Sequence, residues 1–164
     1  MNNLKVAIIV GSSSDIPHLE KAEELLKEFG VVYELKVLSA HRTPDALQEY
    51  VKNAEANGVE VIIAAAGKAA ALPGVVASLV TLPVIGIPIK SSFLDGMDSL
   101  LSIVQMPEGI PVGCMGVSNA ANAALYAVQM LSLKYPQLQK KIAAYRKKQA
   151  RAIKEFNENK KSLR

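Results

Sequence analysis

The chain has 164 residues, a length that suits one domain, and half of them are hydrophobic while only 5% are aromatic, so its core must be built from Ala, Val, Ile and Leu. Its formal net charge of +4 is uneven: eleven Lys and Arg face two Glu from Lys134 onward, leaving eight basic and thirteen acidic residues before that point. These features exclude a membrane span, since no apolar run exceeds strand length, and an intrachain disulfide, since Cys114 is the single cysteine.

The opening residues enter a strand-like run with no basic leader and cleavage site, so a cytoplasmic protein without a signal peptide is expected. Residues 4–10 form an apolar strand ending at Gly11. Residues 15–29 carry Leu19, Ala22, Leu25, Leu26 and Phe29 at helical spacing, and Gly30 is placed to cap that helix. A second strand spans 31–38. Thr43-Pro44 then starts a helix, Thr as N-cap and Pro at the first helical position, running to Ala56 and stopped by Asn57-Gly58. The continuous apolar run 59–65 predicts a buried strand. A helix follows within 69–80, then strands at 83–88 and 112–117 and an Ala-rich helix at 120–133. A last helix at 137–159 has a basic face. No aromatic or Gly-rich recognition pattern accompanies its charge, so it reads as a solvated face and not as a nucleic-acid contact.

Strands alternating with helices imply right-handed βαβ units. The fold expected is α/β: a three-layer αβα sandwich with a doubly wound parallel sheet of flavodoxin or Rossmann type, plus a long C-terminal helix. It forms a single catalytic domain, 1–164, in which 136–164 packs on a neighbouring subunit. Ligands of such sheets bind beyond the carboxyl ends of the strands, which directs attention to the segments found there.

After the first strand comes Gly11-Ser12-Ser13-Ser14-Asp15, where a tight turn, hydroxyls and free N–H groups suit an anion and Asp15 suits a cap or a sugar hydroxyl. This is neither a Walker loop nor a dinucleotide fingerprint. After the second comes Ser39-Ala40-His41-Arg42-Thr43-Pro44: Arg offers a fork for phosphate or carboxylate, and His exchanges a proton near neutral pH. The other histidine, His18, lies on the first helix and is read as structural or exposed. After the third comes Ala66-Gly67-Lys68-Ala69-Ala70-Ala71-Leu72-Pro73-Gly74, small residues that admit a flat ligand, with one added charge. After the fourth come Lys90-Ser91-Ser92-Phe93-Leu94-Asp95-Gly96 and the 106–111 stretch MPEGIP, which suits an ordered lid or an intersubunit contact. Two His and one Cys, far apart, make no zinc site, and no carboxylate cluster suggests magnesium. The residues alone point to a small anionic ligand and proton transfer without a cofactor.

Taken together, GSSSD at 11–15, SAHRTP at 39–44, the 67–74 loop and DSLLSIVQMPEGIPVG at 98–113 resemble the PurE family in order and over nearly the whole chain. The pattern is most similar to class I, the N5-carboxyaminoimidazole ribonucleotide mutases of de novo purine biosynthesis. The resemblance implies a homo-octamer with sites between subunits, a ribonucleotide substrate, CO2 as an enclosed intermediate, and no metal or organic cofactor. It implies that His41 is the general acid/base. It also implies substrate binding by Gly11, Ser12, Ser14, Asp15, Ser39, Ala40, Arg42, Gly67, Lys68, Ala69 and Leu72, with Arg42 on the phosphate. Class I usually reads GGAAHLPG in the third loop. Here the second glycine is Lys68 and the histidine is Ala71, and class II relatives, which carboxylate aminoimidazole ribonucleotide directly with CO2, carry a basic residue and no histidine there. Direct carboxylation and a non-catalytic nucleotide-binding role therefore stand as alternatives to the mutase.

Overall fold

Five consecutive apolar residues with no polar alternation form the first strand, β1 (Val6–Val10), and all five are buried, as expected for a strand covered on both faces. The computed structural model describes residues 5–161, so the predicted strand start at Leu4 and the last three residues of the predicted C-terminal segment lie outside the described residues. In chain order β1 is followed by a 3-10 turn (Ser13–Leu19), α1 (Glu20–Phe29), β2 (Tyr33–Val37), α2 (Pro44–Ala54), β3 (Val61–Gly67) and α3 (Leu72–Leu79). Then come β4 (Val84–Ile89), α4 (Met97–Val104), β5 (Gly113–Cys114), α5 (Ala120–Ser132) and α6 (Pro136–Lys161). The strands form one sheet in the order β2-β1-β3-β4-β5, with every pairing parallel. This is the doubly wound α/β arrangement expected from the sequence, and the order reverses between β1 and β3.

Alternation along the strands divides the core. Ala7 and Ile9 of β1 and Ile62, Ala64 and Ala66 of β3 join Leu47 and Val51 of α2, Leu72 and Val76 of α3 and Ile103 of α4 in one apolar cluster. Right-handed crossovers place α2, α3 and α4 on that face and α1 on the other. There α1 contributes the buried Ala22, Leu25, Leu26 and Phe29, all four read from the helical spacing. Full burial of each Ile, Leu or Val contributes roughly 1.5–3 kcal/mol.

Several boundaries differ from the sequence expectation, each for a local reason. The predicted 15–29 helix is a 3-10 turn containing Pro17 and then α1, because proline cannot donate to a regular helical ladder. Gly30 caps α1 at φ 71°, as expected. Strand β2 is an edge strand, only partly buried, and shorter than 31–38; β5 at the other edge pairs over two residues instead of six. The helix expected within 69–80 is α3, Leu72–Leu79, with Pro73 in its first turn. Helix α4 was not expected at all.

The contacts divide the chain into two compact units, Met1–Val128 and Gln129–Arg164. In the second, Gln139 Nε2 donates to the Ser132 carbonyl at 3.2 Å, tying the start of α6 to the end of α5. Along α6, Ile153 and Phe156 are exposed. No helix of the described residues is long and apolar enough to cross a membrane.

Candidate functional site

The carboxyl ends of β1, β2, β3 and β4 open into a cleft of about 560 Å³, within the range of small-molecule sites. Its position is the one the topology favours, at the reversal of strand order between β1 and β3.

The wall after β1 is organised by Ser12. Its hydroxyl accepts from the Ser14 hydroxyl at 2.8 Å and, at a longer 3.4 Å, from the Ser14 N–H, so Ser12 caps the 3-10 turn. Asp15 occupies that first turn, its N–H donating to the Ser12 carbonyl at 3.1 Å. A Cβ placed at Gly11 would meet no atom within 4 Å. The protein's own packing therefore does not demand glycine at this edge of the cleft.

The wall after β2 is closed on itself. Thr43 is the N-cap residue of α2, but its side chain does not cap the helix as the sequence suggested. Instead Thr43 Oγ1 accepts from the Ser39 N–H at 2.9 Å and donates to the Ser39 carbonyl at 3.2 Å. The Ser39 hydroxyl in turn accepts from the Arg42 N–H at 3.2 Å and from Arg42 Nε at 3.4 Å. Arg42 Nη2 crosses to the next wall and donates to the Gly11 carbonyl at 2.6 Å. Two sides of the guanidinium are thereby fixed, and among the described residues the Nη1 end of the fork has no partner, which leaves its donors for a ligand. His41 is exposed between these anchored neighbours.

The wall after β3 has unusual backbone. Lys68 at φ 57° and Ala70 at φ 26° both lie at positive φ without being glycine, a conformation disfavoured by about 1–2 kcal/mol per residue. The wall after β4 is strapped from elsewhere in the chain. The Lys90 N–H donates to Ser118 Oγ at 3.1 Å, Ser91 Oγ donates to the Asp98 carboxylate at 3.0 Å, and the buried Ser99 hydroxyl donates to the Ile89 carbonyl at 2.9 Å. Gly96 starts α4 at φ 92°, where a Cβ would come within 2.5 Å of the Val117 side chain. Lys90 Nζ is paired with Asp95 at 3.0 Å. Burial raises the Cys114 thiol above its ordinary pKa, so this half-buried group on β5 is held as a thiol.

A family model described as AIR carboxylase matches residues 5–152. The chain belongs to the AIR carboxylase family. It is 56% identical over 150 residues to the N5-carboxyaminoimidazole ribonucleotide mutase of Pyrococcus horikoshii, covering 92% of this chain and 85% of that protein. It is 53% identical over 149 residues to the mutase of Thermotoga maritima, covering 91% and 87%. The crystal structure of Treponema denticola PurE superposes with a TM-score of 0.87 at 33% identity, covering 94% of this chain and 96% of that one.

Within this family member, the cleft gathers nearly every residue singled out from the sequence. Gly11, Ser12, Ser14, Asp15, Ser39, Ala40, His41, Arg42, Gly67, Lys68 and Leu72 all line it. Ala69 does not: the two positive-φ residues on either side turn it outward, and it is exposed while Ala70 is buried. The cleft also takes in Lys90, Ser91 and Ser92, which the sequence marks as a strand-end segment without marking them as site residues. The signal for them was available, since they follow β4 as the other three segments follow their strands.

Proposed function

We propose that this chain is an N5-carboxyaminoimidazole ribonucleotide mutase. The observation that carries the reading is the cleft itself: it joins His41, the anchored Arg42 fork and the Ser12–Asp15 turn at the strand ends. It does so in a chain more than half identical to proteins bearing that name.

The free Nη1 end of Arg42 suits the 5′-phosphate, and the hydroxyl-lined turn with Asp15 suits the ribose. The imidazole then lies toward the small residues of the β3 loop. The C–N bond of the ring-bound carbamate breaks, releasing CO2 and returning the electron pair to nitrogen, which takes up a proton. C4 attacks the retained CO2, and the new C–C bond leaves C4 carrying both hydrogen and carboxylate. Removal of the C4 proton restores aromaticity. In this reading His41, which lines the cleft, delivers the first proton and accepts the second. Confinement keeps CO2 from escaping between the two halves of the reaction, so proximity does much of the work. No net redox change occurs, and one proton carrier balances the sequence.

The decisive assay compares turnover of N5-carboxyaminoimidazole ribonucleotide with turnover of aminoimidazole ribonucleotide plus bicarbonate. Use of the first substrate is expected. Activity with the second pair alone would replace the mutase by a direct carboxylase, and activity with neither would leave a nucleotide-binding protein.

The same reading includes a cytoplasmic homo-octamer and a single catalytic domain with its C-terminal helix on a neighbouring subunit. What supports assembly is an apolar stripe beside the cleft: Phe93 and Leu94, then Met97, Leu101 and Val104 of α4, all exposed in the isolated chain. Light scattering of the intact chain should give an octamer, and truncation after Tyr135 should reduce its size. An octamer that survives the truncation would remove α6 from the assembly.

A further inference from the structure

Three cations line the cleft, and they are not equivalent. Arg42 sits on the β1–β2 side and is committed to Gly11 and Ser39. Lys68 and Lys90 sit on the other side. Gly67 and Ile89 are register partners across β3 and β4, so the two lysines that follow them leave adjacent strand ends, a strand spacing of about 4.8 Å apart in the backbone. Ammonium groups carried on such neighbouring stems repel one another wherever they approach. Asp95 answers only one of them, pairing with Lys90 at 3.0 Å. Among the described residues Lys68 has neither a hydrogen bond nor an ion pair. It also occupies a left-handed backbone position, φ 57°, that glycine would fill without strain. A strained lysine with no partner inside a cleft is not explained by the fold.

We propose that Lys68, with Lys90 beside it, forms a second anion subsite that holds the carboxylate carried by the imidazole, and so decides how strongly carboxylated nucleotides are preferred over the bare one. The proposal rests on the mutase reading. The cleft then has two positive ends, separated by roughly one to two strand spacings, about 5–10 Å. A ribosyl-imidazole can bridge that span with its phosphate on Arg42 and its carboxylate on Lys68. Lys68 acts on the group that moves, which distinguishes it from Arg42, whose partner is unchanged through the reaction.

The test is calorimetric titration of the intact protein and its Lys68→Met, Lys68→Arg and Lys68→Gly variants. The ligands are 4-carboxyaminoimidazole ribonucleotide and aminoimidazole ribonucleotide. Loss of one charge-assisted contact should weaken the carboxylated ligand about tenfold in Lys68→Met, with less than a twofold change for the uncarboxylated one. Lys68→Arg should keep most of the preference. Lys68→Gly, which suits the local backbone and guards against misfolding, should show the same selective loss together with a raised Tm. Parallel weakening of both ligands, or no change in either, overturns the subsite while leaving the mutase reading intact. Failure of the unmodified protein to bind either nucleotide overturns that reading and the subsite with it.

Discussion

The β2–α2 loop and the β3–α3 loop wall the same cleft by different means. In the first, Ser39, Arg42 and Thr43 satisfy one another and reach across to Gly11, and no residue at 39–43 has positive φ. In the second, Gly67 to Ala71 make no side-chain bond among the described residues; the Ala70 N–H donates to the Gly67 carbonyl at 3.1 Å, and two non-glycine residues are held at positive φ. The first loop is tied down because Ser39, Thr43 and two sides of the Arg42 guanidinium are bonded within it or to Gly11, which suits a group that must be fixed once. The second stores backbone strain and leaves an ammonium uncommitted, which suits a group that contacts the changing part of a ligand. Rigidity and local stability go together in one loop and are separated in the other.

Four substitutions test that contrast. The largest effect belongs to His41→Asn: turnover should fall by about 10²–10⁴, the range for a lost general acid/base, with nucleotide binding retained. Unchanged kcat would remove His41 from the chemistry. Next, Arg42→Met should weaken binding of both the carboxylated and the uncarboxylated nucleotide by about tenfold or more, in contrast to the selective loss expected at Lys68. Calorimetry measures both. Thr43→Val keeps the shape of the side chain but breaks the clasp on Ser39, and thermal unfolding should show a loss of about 0.5–1 kcal/mol. The smallest effect is a gain: Lys68→Gly relieves the left-handed strain but loosens the unfolded chain, for a net stabilisation of about 0.5 kcal/mol. Destabilisation by this last change would show that the β3 loop is not under strain and that the contrast between the loops is wrong.

Much of this was legible in the sequence because burial and periodicity agree over most of the chain. Leu19, Ala22, Leu25, Leu26 and Phe29 have helical spacing and are all buried. The uninterrupted apolar runs became the strands β1, β3 and β4, and the segments following them reached the cleft. The failures have physical causes. Helix α4 inverts the usual pattern: Ser99 and Ile103 are buried while the apolar stripe Met97, Leu101 and Val104 is exposed, so its apolar spacing does not report the face that it buries. Thr43 carries the residue type of an N-cap yet spends its hydroxyl on the preceding turn, a competition between two local partners that composition does not decide. The outward turn of Ala69 follows from the φ values at Lys68 and Ala70, and nothing about an Ala-rich stretch announces positive φ. Lys90 was visible as a residue, but its pairing with Asp95, which leaves Lys68 the uncommitted lysine of the two, is a three-dimensional fact.

The strap on Lys90 has a consequence for the order in which the protein becomes competent. Three walls of the cleft are encoded by the first 72 residues, but the fourth is held by Ser118, whose own N–H donates to the Pro88 carbonyl at 2.8 Å while its hydroxyl accepts from Lys90. During synthesis a domain folds as a unit, so the strands that emerge first do not complete the cleft by themselves. The nascent chain acquires a complete ligand cleft only after the segment beyond β5 has left the ribosome. Nucleotide capture is therefore a late event in the life of the growing chain.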